Sequence, residues 1–472
     1  MSLTSFNYLL FLPTVFLLYW LAFSRNKTLQ NAFLLVSSLA FYAFWDWKFL
    51  VLLLITAGST FYIGRRMAAA SEKKARRMLL LLSLLLNLGI LAYFKYFNFF
   101  VDSFVDLMSL FGLHIGFSTM KIILPVGISF YTFAALSYCI DVYRRTVEPT
   151  DDWLAYFAYV TFFPSLLSGP ISRATTQLPQ YRSRRLFSYE KAATGIRAIL
   201  WGLFVKLCVA DCLGVYVDTV YGSAAEYGGT TLLLASVLFT IQIYADFSGY
   251  SLIAIGSGKL LGIDLPENFR RPYFSRTVTE FWRRWHISLT TWFRDYIYFP
   301  LGGSRVGKTR WALNTLIVFL VSGLWHGAAY TFIIWGALHG TLMILERLLY
   351  GKHLKSIPDR PCPANAIRIC VTFCLVSLTW IFFRMGTAGE AVTVVGKLFT
   401  DFGMPFIDTV LVPASISMVI LFVKDYVDEY HSGIRLLSSG HKVIRYATCV
   451  ALICYILLMG ELDGASFIYF QF

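Results

Sequence analysis

The sequence predicts an all-α polytopic membrane protein, and three observations predict it. Of its 472 residues, 57% are hydrophobic and only 14% charged, a balance foreign to water-soluble chains of this length. Apolar runs near the ~20 residues that cross a ~30 Å hydrocarbon core as a helix recur from one end to the other. The basic residues, which exceed the acidic ones by 14 charges, cluster between those runs: Arg25 to Lys27, Arg65-Arg66, Lys73 to Arg77, Arg144-Arg145 and Arg182 to Arg185. That is the placement of cytoplasmic loops under the positive-inside rule, not of a nucleic-acid surface.

Apolar stretches at 6–23, 31–45, 47–64, 78–100, 121–140, 154–168, 193–221, 230–262, 312–346, 366–383, 407–423 and 443–460 predict about ten to twelve transmembrane and re-entrant segments. The first has no basic n-region and no small-residue cleavage site, so it reads as a retained span rather than a signal peptide. The clusters at 25–27 and 65–77 share a side only if an even number of spans separates them, and 31–45 with 47–64 supplies the pair. Met1 is then expected outside, with residues 65–77 and 174–190 in the cytoplasm. The stretch YVTFFPSLLSGPISR at 159–173 fits a re-entrant segment or a helix broken inside the protein, because such backbone survives at membrane depth only when buried or lining water. With no polar linker longer than a few residues, one polytopic domain is expected over 1–472, with core motifs in 121–346 and further helices in 366–472. The eight cysteines are scattered without CxxC or zinc spacing, so they read as small core residues and no metal is expected.

Residues 266–303 are basic and aromatic. On a helical wheel Phe281, Trp282, Trp285, Leu289, Trp292, Phe293 and Tyr296 fall within an arc of about 120°, with Thr290, Arg283, Arg284 and Arg294 opposite and His286 on the border. The pattern reads as an interfacial helix with its rings in the headgroup layer and its arginines on anionic lipid. It also reads as the lining of a cytoplasm-facing funnel, where arginine forks hold the phosphates of a nucleotide-bearing donor and His286 faces the reactive group. The two readings are compatible.

The apolar run Leu313 to Leu345 spans 33 residues, too long for one upright helix. Lys308-Arg310 and Arg347 flank it, so a hairpin broken near Ser322-Gly323 or Gly327 is expected; a single strongly tilted helix is the competing picture. In the hairpin His326 lies roughly 24 Å from Arg310 along the axis, deep enough for an imidazole to mark a functional site. A neutral imidazole there is suited to take a proton from an attacking hydroxyl. His339 sits about 220° around a continuous helix from His326, and a structural hydrogen bond is expected for it.

Together ILPVGISFYTF (123–133), QIYADFSGYSLIAIG (242–256), PENFRRPYFSRTVTEFWRRWHISLTTWFRDYIYFPLGGSR (266–305), GLWHGAAYTFIIWGALHG (323–340) and the terminal FIYFQF (467–472) resemble the membrane-bound O-acyltransferases, in the bacterial branch of the alginate and polysaccharide O-acetyltransferase membrane subunits. The resemblance implies a ring of helices around a central funnel and transfer of an acyl group, acetyl in this branch, from a cytoplasmic thioester to a hydroxyl on the other side or in the membrane. It puts the family's essential histidine on His326 and its second polar position on His286, where many eukaryotic relatives carry Asn. Arg283, Arg294, Trp285, Asn268, Asp246 and Trp325 are the substrate- or donor-binding candidates. It further implies no bound cofactor, acetyl-CoA or another acyl thioester as donor substrate, and a multi-pass place in the bacterial cytoplasmic (inner) membrane. Its expected partners are membrane lipid, an extracytoplasmic glycan and a secreted or membrane-anchored SGNH-hydrolase-like acetyltransferase. Rival readings are D-alanyl transfer to teichoic acid from a carrier protein and, in another class, a transporter with a histidine proton relay.

Overall fold

The computed structural model describes residues 2–114, 116, 122–351, 357, 360–431, 433, 436–462 and 467–468, and among these it is helical without a strand. Two compact units emerge: Met1–Gly195 with Ala254–Pro266, and Ile196–Ile253 with Glu267–Phe472. The chain passes between the units twice inside apolar helices, at 195–196 and 253–254, and once in the non-helical stretch at 266–267.

The first unit begins with α1 (Phe6–Leu21), α2 (Lys27–Asp46), α3 (Leu50–Ala69), α4 (Lys73–Leu110) and α5 (Ile128–Arg144). Short helices α6 (Trp153–Val160), α7 (Phe163–Leu166) and α8 (Ala174–Arg182) follow, and α9 (Tyr189–Leu203) leads out. Proline at the start of α7 and the buried, irregular backbone after Leu166 give the broken segment expected at 159–173. The basic clusters meet within this unit. Lys27 pairs with Asp152 at 3.0 Å and Arg65 with Asp151 at 2.7 Å, while Arg76 and Arg184 donate to the carbonyls of Tyr143 and Ser24 at 2.7 and 2.9 Å. Loops that shared sign suggested were on one side are thus brought to one place.

The second unit takes up the chain through a π-helical stretch, Phe204–Asp211, into α10 (Cys212–Gly222) and α11 (Gly229–Leu260), whose last turns return to the first unit. Then come α12 (Val278–Arg284), α13 (Ile287–Phe293), α14 (Lys308–His326), α15 (Tyr330–Tyr350), α16 (Pro363–Arg384), α17 (Ala388–Thr400), α18 (Leu411–Tyr430) and α19 (Lys442–Met459). α14 and α15 form the expected hairpin. The turn falls at Gly327, where the backbone is extended, and the two helices press together because Gly323 and Gly336 carry no side chain. A Cβ on Gly323 would run into the Phe332 carbonyl oxygen, and one on Gly336 into that of Phe319; small residues let helix backbones approach in this way.

Seven stretches among the described residues are long and apolar enough to cross a membrane: Lys27–Ala69, Lys73–Leu110, Tyr189–Gly222, Gly229–Leu260, Tyr330–Tyr350, Pro363–Arg384 and Lys442–Met459. Other apolar runs fall short for visible reasons. α1 has 16 residues and α5 has 17, the run at 154–168 breaks into α6 and α7, and α18 carries Lys424, Asp425, Asp428 and Glu429 near its end.

Candidate functional site

The expected continuous amphipathic helix through Phe281 to Tyr296 is not what forms. α12 ends at Arg284, Trp285 is extended, and His286 adopts left-handed backbone with φ 41° before α13 begins. The rings of the aromatic arc go to the protein interior: Phe281, Trp282 and Trp285 are buried inside the unit. Trp285 lies against Phe269, Phe281 and Trp380, with ring centroids at 5.0, 5.3 and 5.1 Å.

The break is held from both ends. Ahead of α12, the Glu346 carboxylate accepts from the backbone N–H groups of Val278 and Thr279 at 2.7 and 2.9 Å, occupying the otherwise unsatisfied donors of a helix start. Glu280 pairs with Arg276 and Arg284, each at 2.7 Å, and Glu429 with Arg284 and Arg271 at 2.7 and 2.6 Å. Burial works against the Glu280 charge, yet its hydrogen bonds from Arg276 and the Arg284 charge hold its pKa below the ordinary carboxylate value. At the break itself two backbone hydrogen bonds lace the 268–270 strand of chain to the turn: Ile287 N–H to the Asn268 carbonyl at 2.8 Å, and Arg270 N–H to the Arg284 carbonyl at 2.9 Å.

His286 is thereby buried, 1% exposed, with its Nδ1 3.0 Å from Asn268 Oδ1. Its Nε2 is buried without a hydrogen-bond partner among the described residues. His286 lies outside the seven candidate spans, and burial pushes its pKa down to about 3, so the ring is neutral. Phe247 packs edge-on against it at 4.6 Å, and Trp325 stands 6.0 Å away. Trp325 also lies 4.9 Å from His326, the last residue of α14, which Trp335 and Phe383 enclose at 5.0 and 5.4 Å. Two histidines 40 positions apart in the chain therefore converge on one indole.

The other candidates divide. Asn268 is bonded to His286. Asp246, also buried, pairs with Lys206 at 2.6 Å and accepts from the Ile468 N–H at 2.8 Å; Lys206 in turn pairs with Asp211 at 2.5 Å. Phe467 stacks on Tyr250 at 4.6 Å and lies 5.5 Å from Phe247, so the start of the terminal motif reaches the His286 surroundings; residues 469–472 of that motif lie outside the described residues. Arg283 is exposed, and Arg294, half exposed, pairs with Asp295 at 2.7 Å, so neither is brought to His286. Among the described residues no group of three or more His, Cys, Asp or Glu side chains is arranged to hold a metal ion.

Sequence reasoning passed over Lys206, Asp211, Ser251 and Ser288. The signal for the first two was present: ionisable residues inside the apolar run 193–221 must find partners there. The serines carry no such mark.

The chain belongs to the membrane-bound O-acyltransferase family, whose profile matches residues 150–383; it is a multi-pass integral membrane enzyme that transfers acyl groups to oxygen. It is 40% identical over 392 residues to the protein named "probable alginate O-acetylase AlgI" in Pseudomonas putida, covering 83% of this chain and 78% of that one. It is 33% identical over 412 residues to the peptidoglycan O-acetyltransferase of Helicobacter pylori, covering 81% and 77%. To the teichoic acid D-alanyltransferase of Bacillus subtilis it is 27% identical over 271 residues, covering 55% and 68%.

Proposed function

We propose that the enzyme takes an acetyl group from a cytoplasmic thioester, acetyl-CoA or another acyl thioester, and passes it across the bacterial inner membrane to a hydroxyl of an extracytoplasmic polysaccharide, directly or through an SGNH-hydrolase-like acetyltransferase. His326 acts as the base. It takes the proton of the acceptor hydroxyl as that oxygen attacks the thioester carbonyl, and the thiolate leaves. A positioned base of this kind contributes about 10²–10⁴ in rate. His286 is its companion across Trp325, and Arg283 and Arg294 draw donor phosphates toward the cytoplasmic face.

The observation that carries this reading is the convergence of His286 and His326 on Trp325 in a buried aromatic setting. The acetyl rather than D-alanyl assignment is supported by the relatives: the acetylating ones align over about four fifths of this chain, the D-alanylating one over 55%. The test is reconstitution in liposomes with labelled acetyl-CoA outside, on the cytoplasmic face, and acceptor polysaccharide in the lumen. Transfer of label by the wild type and its loss in His326→Ala supports the reading. Transfer only from a D-alanyl carrier protein overturns the acetyl assignment, and transfer undiminished in His326→Ala overturns the base.

A further inference from the structure

We infer that Asn268 is the positioning residue that sets the tautomer of His286, fixing the proton on Nδ1 so that Nε2 is the ring's proton acceptor; this rests on the reading of His286 as part of the acyl-transfer site.

The inference follows from which way the Asn268 amide must face. Its oxygen lies 3.0 Å from His286 Nδ1, 2.8 Å from Ser288 Oγ and 3.4 Å from the Ser288 backbone nitrogen. The last is a donor in every protonation state, so the atom facing it is the amide oxygen; turning the amide over would set NH₂ against N–H. On the other side Asn268 Nδ2 donates to Ser251 Oγ at 2.9 Å. The hydroxyl accepts in this orientation; because a hydroxyl can also donate, the Ser288 backbone N–H is the partner that fixes which way the amide faces. With Oδ1 facing the ring, Nδ1 must carry the hydrogen, and in a neutral imidazole Nε2 then holds only a lone pair. All four side chains are buried: His286 and Asn268 at 1% exposure, Ser251 at 2% and Ser288 at 5%, so water is not a ready substitute for any partner. The backbone bonds between Asn268 and Ile287 and between Arg270 and Arg284, 2.8 and 2.9 Å, keep the amide and the ring in register.

A chemical consequence distinguishes two roles for His286. Polarising a thioester carbonyl requires a donated hydrogen at Nε2, which this tautomer lacks. Accepting a hydrogen bond or a proton from a hydroxyl requires the lone pair, which it has. Asn268 therefore acts through His286 and does not bind the donor, and His286 stands on the acceptor side of the reaction.

The ring's protonation is read directly by ¹⁵N spectroscopy of histidine-labelled protein in nanodiscs, with His286→Ala used to assign the signal. The expected result is an unprotonated Nε2 and a protonated Nδ1; the reverse pattern overturns the proposal. Two variants extend it. Asn268→Asp keeps an oxygen acceptor at the same place and is expected to keep the tautomer and at least about a tenth of the turnover. Asn268→Leu removes it and is expected to mix the tautomers and lower kcat by about 10²-fold, the smaller end of the general-base range, with the KM for acetyl-CoA within about threefold. A folded Asn268→Leu protein with wild-type tautomer and kcat overturns the proposal; should that variant fail to fold, the wild-type spectrum decides alone. If His286→Ala turns over normally while the wild-type spectrum is as expected, the catalytic reading of His286 falls and the tautomer assignment stands.

Discussion

His339 and His286 are both buried histidines of the second unit, and they are bonded in different ways. His339 receives Trp282 Nε1–H on Nδ1 at 3.3 Å and has Thr379 Oγ1 against Nε2 at 2.8 Å, so both nitrogens are committed to protein. His286 commits Nδ1 to Asn268 and leaves Nε2 buried without a partner. Leaving a buried polar atom unmet costs about 1–3 kcal/mol, a cost a purely structural histidine would avoid. Trp335 sharpens the contrast: it touches His339 at 4.9 Å and His326 at 5.0 Å, so one indole separates the structural ring from the candidate base.

Four measurements break or sharpen that comparison. The largest effect is expected from His326→Ala, which should lower acetyl transfer by about 10²–10⁴ while purified protein keeps its unfolding temperature within a few degrees; near-normal turnover from well-folded protein removes His326 from the chemistry. His286→Ala should follow with a loss of about 10²-fold in kcat, again without loss of assembly, and a fall in folded yield matching the fall in activity would make it a second His339. His339→Ala should do the opposite of both. It strands the Trp282 N–H, while the Thr379 hydroxyl keeps its bond to the Val376 carbonyl, so stability should drop by roughly 1–3 kcal/mol while the folded fraction turns over at its usual rate; an unchanged melting curve would contradict the assignment. The smallest effect belongs to the exposed arginines. Arg283→Gln or Arg294→Gln should raise the KM for acetyl-CoA roughly two- to fivefold, the scale of a solvent-screened ion pair, with kcat unaltered; no change in either returns them to the lipid interface.

Much of this was legible in the residue order. The length of the Leu313 to Leu345 run and its glycines announced the hairpin, and Gly327 is where it turns. The placement of basic clusters marked loops between apolar runs, and the Lys27–Asp152 and Arg65–Asp151 pairs tie two of them to the segment at 151–152. What the wheel over Phe281 to Tyr296 missed was the break at His286. A wheel assumes continuous helix, and the interruption arises from long-range partners, Glu346, Glu429 and the Asn268 segment, none of which is local in sequence. The two histidines were visible one by one; their meeting at Trp325 depends on how α12, α13 and α14 pack. The Lys206–Asp211–Asp246 cluster was written into apolar runs as charges, yet its geometry needs the π-helical turn that brings Lys206 and Asp211, five positions apart, face to face.

The backbone at position 286 carries a consequence for sequence variation. With φ at 41° it occupies the left-handed region, which glycine enters freely and Asn, Asp and His enter more readily than other side chains, while β-branched residues are all but excluded. The alphabet open to this site is therefore narrowed by conformation before any chemistry is selected, and it contains both His and Asn. A saturation library at this position, sorted for folded protein rather than for activity, should return glycine, Asn and Asp beside His and should lack Val, Ile and Thr. An amide could thus replace the imidazole at this position without rebuilding the turn.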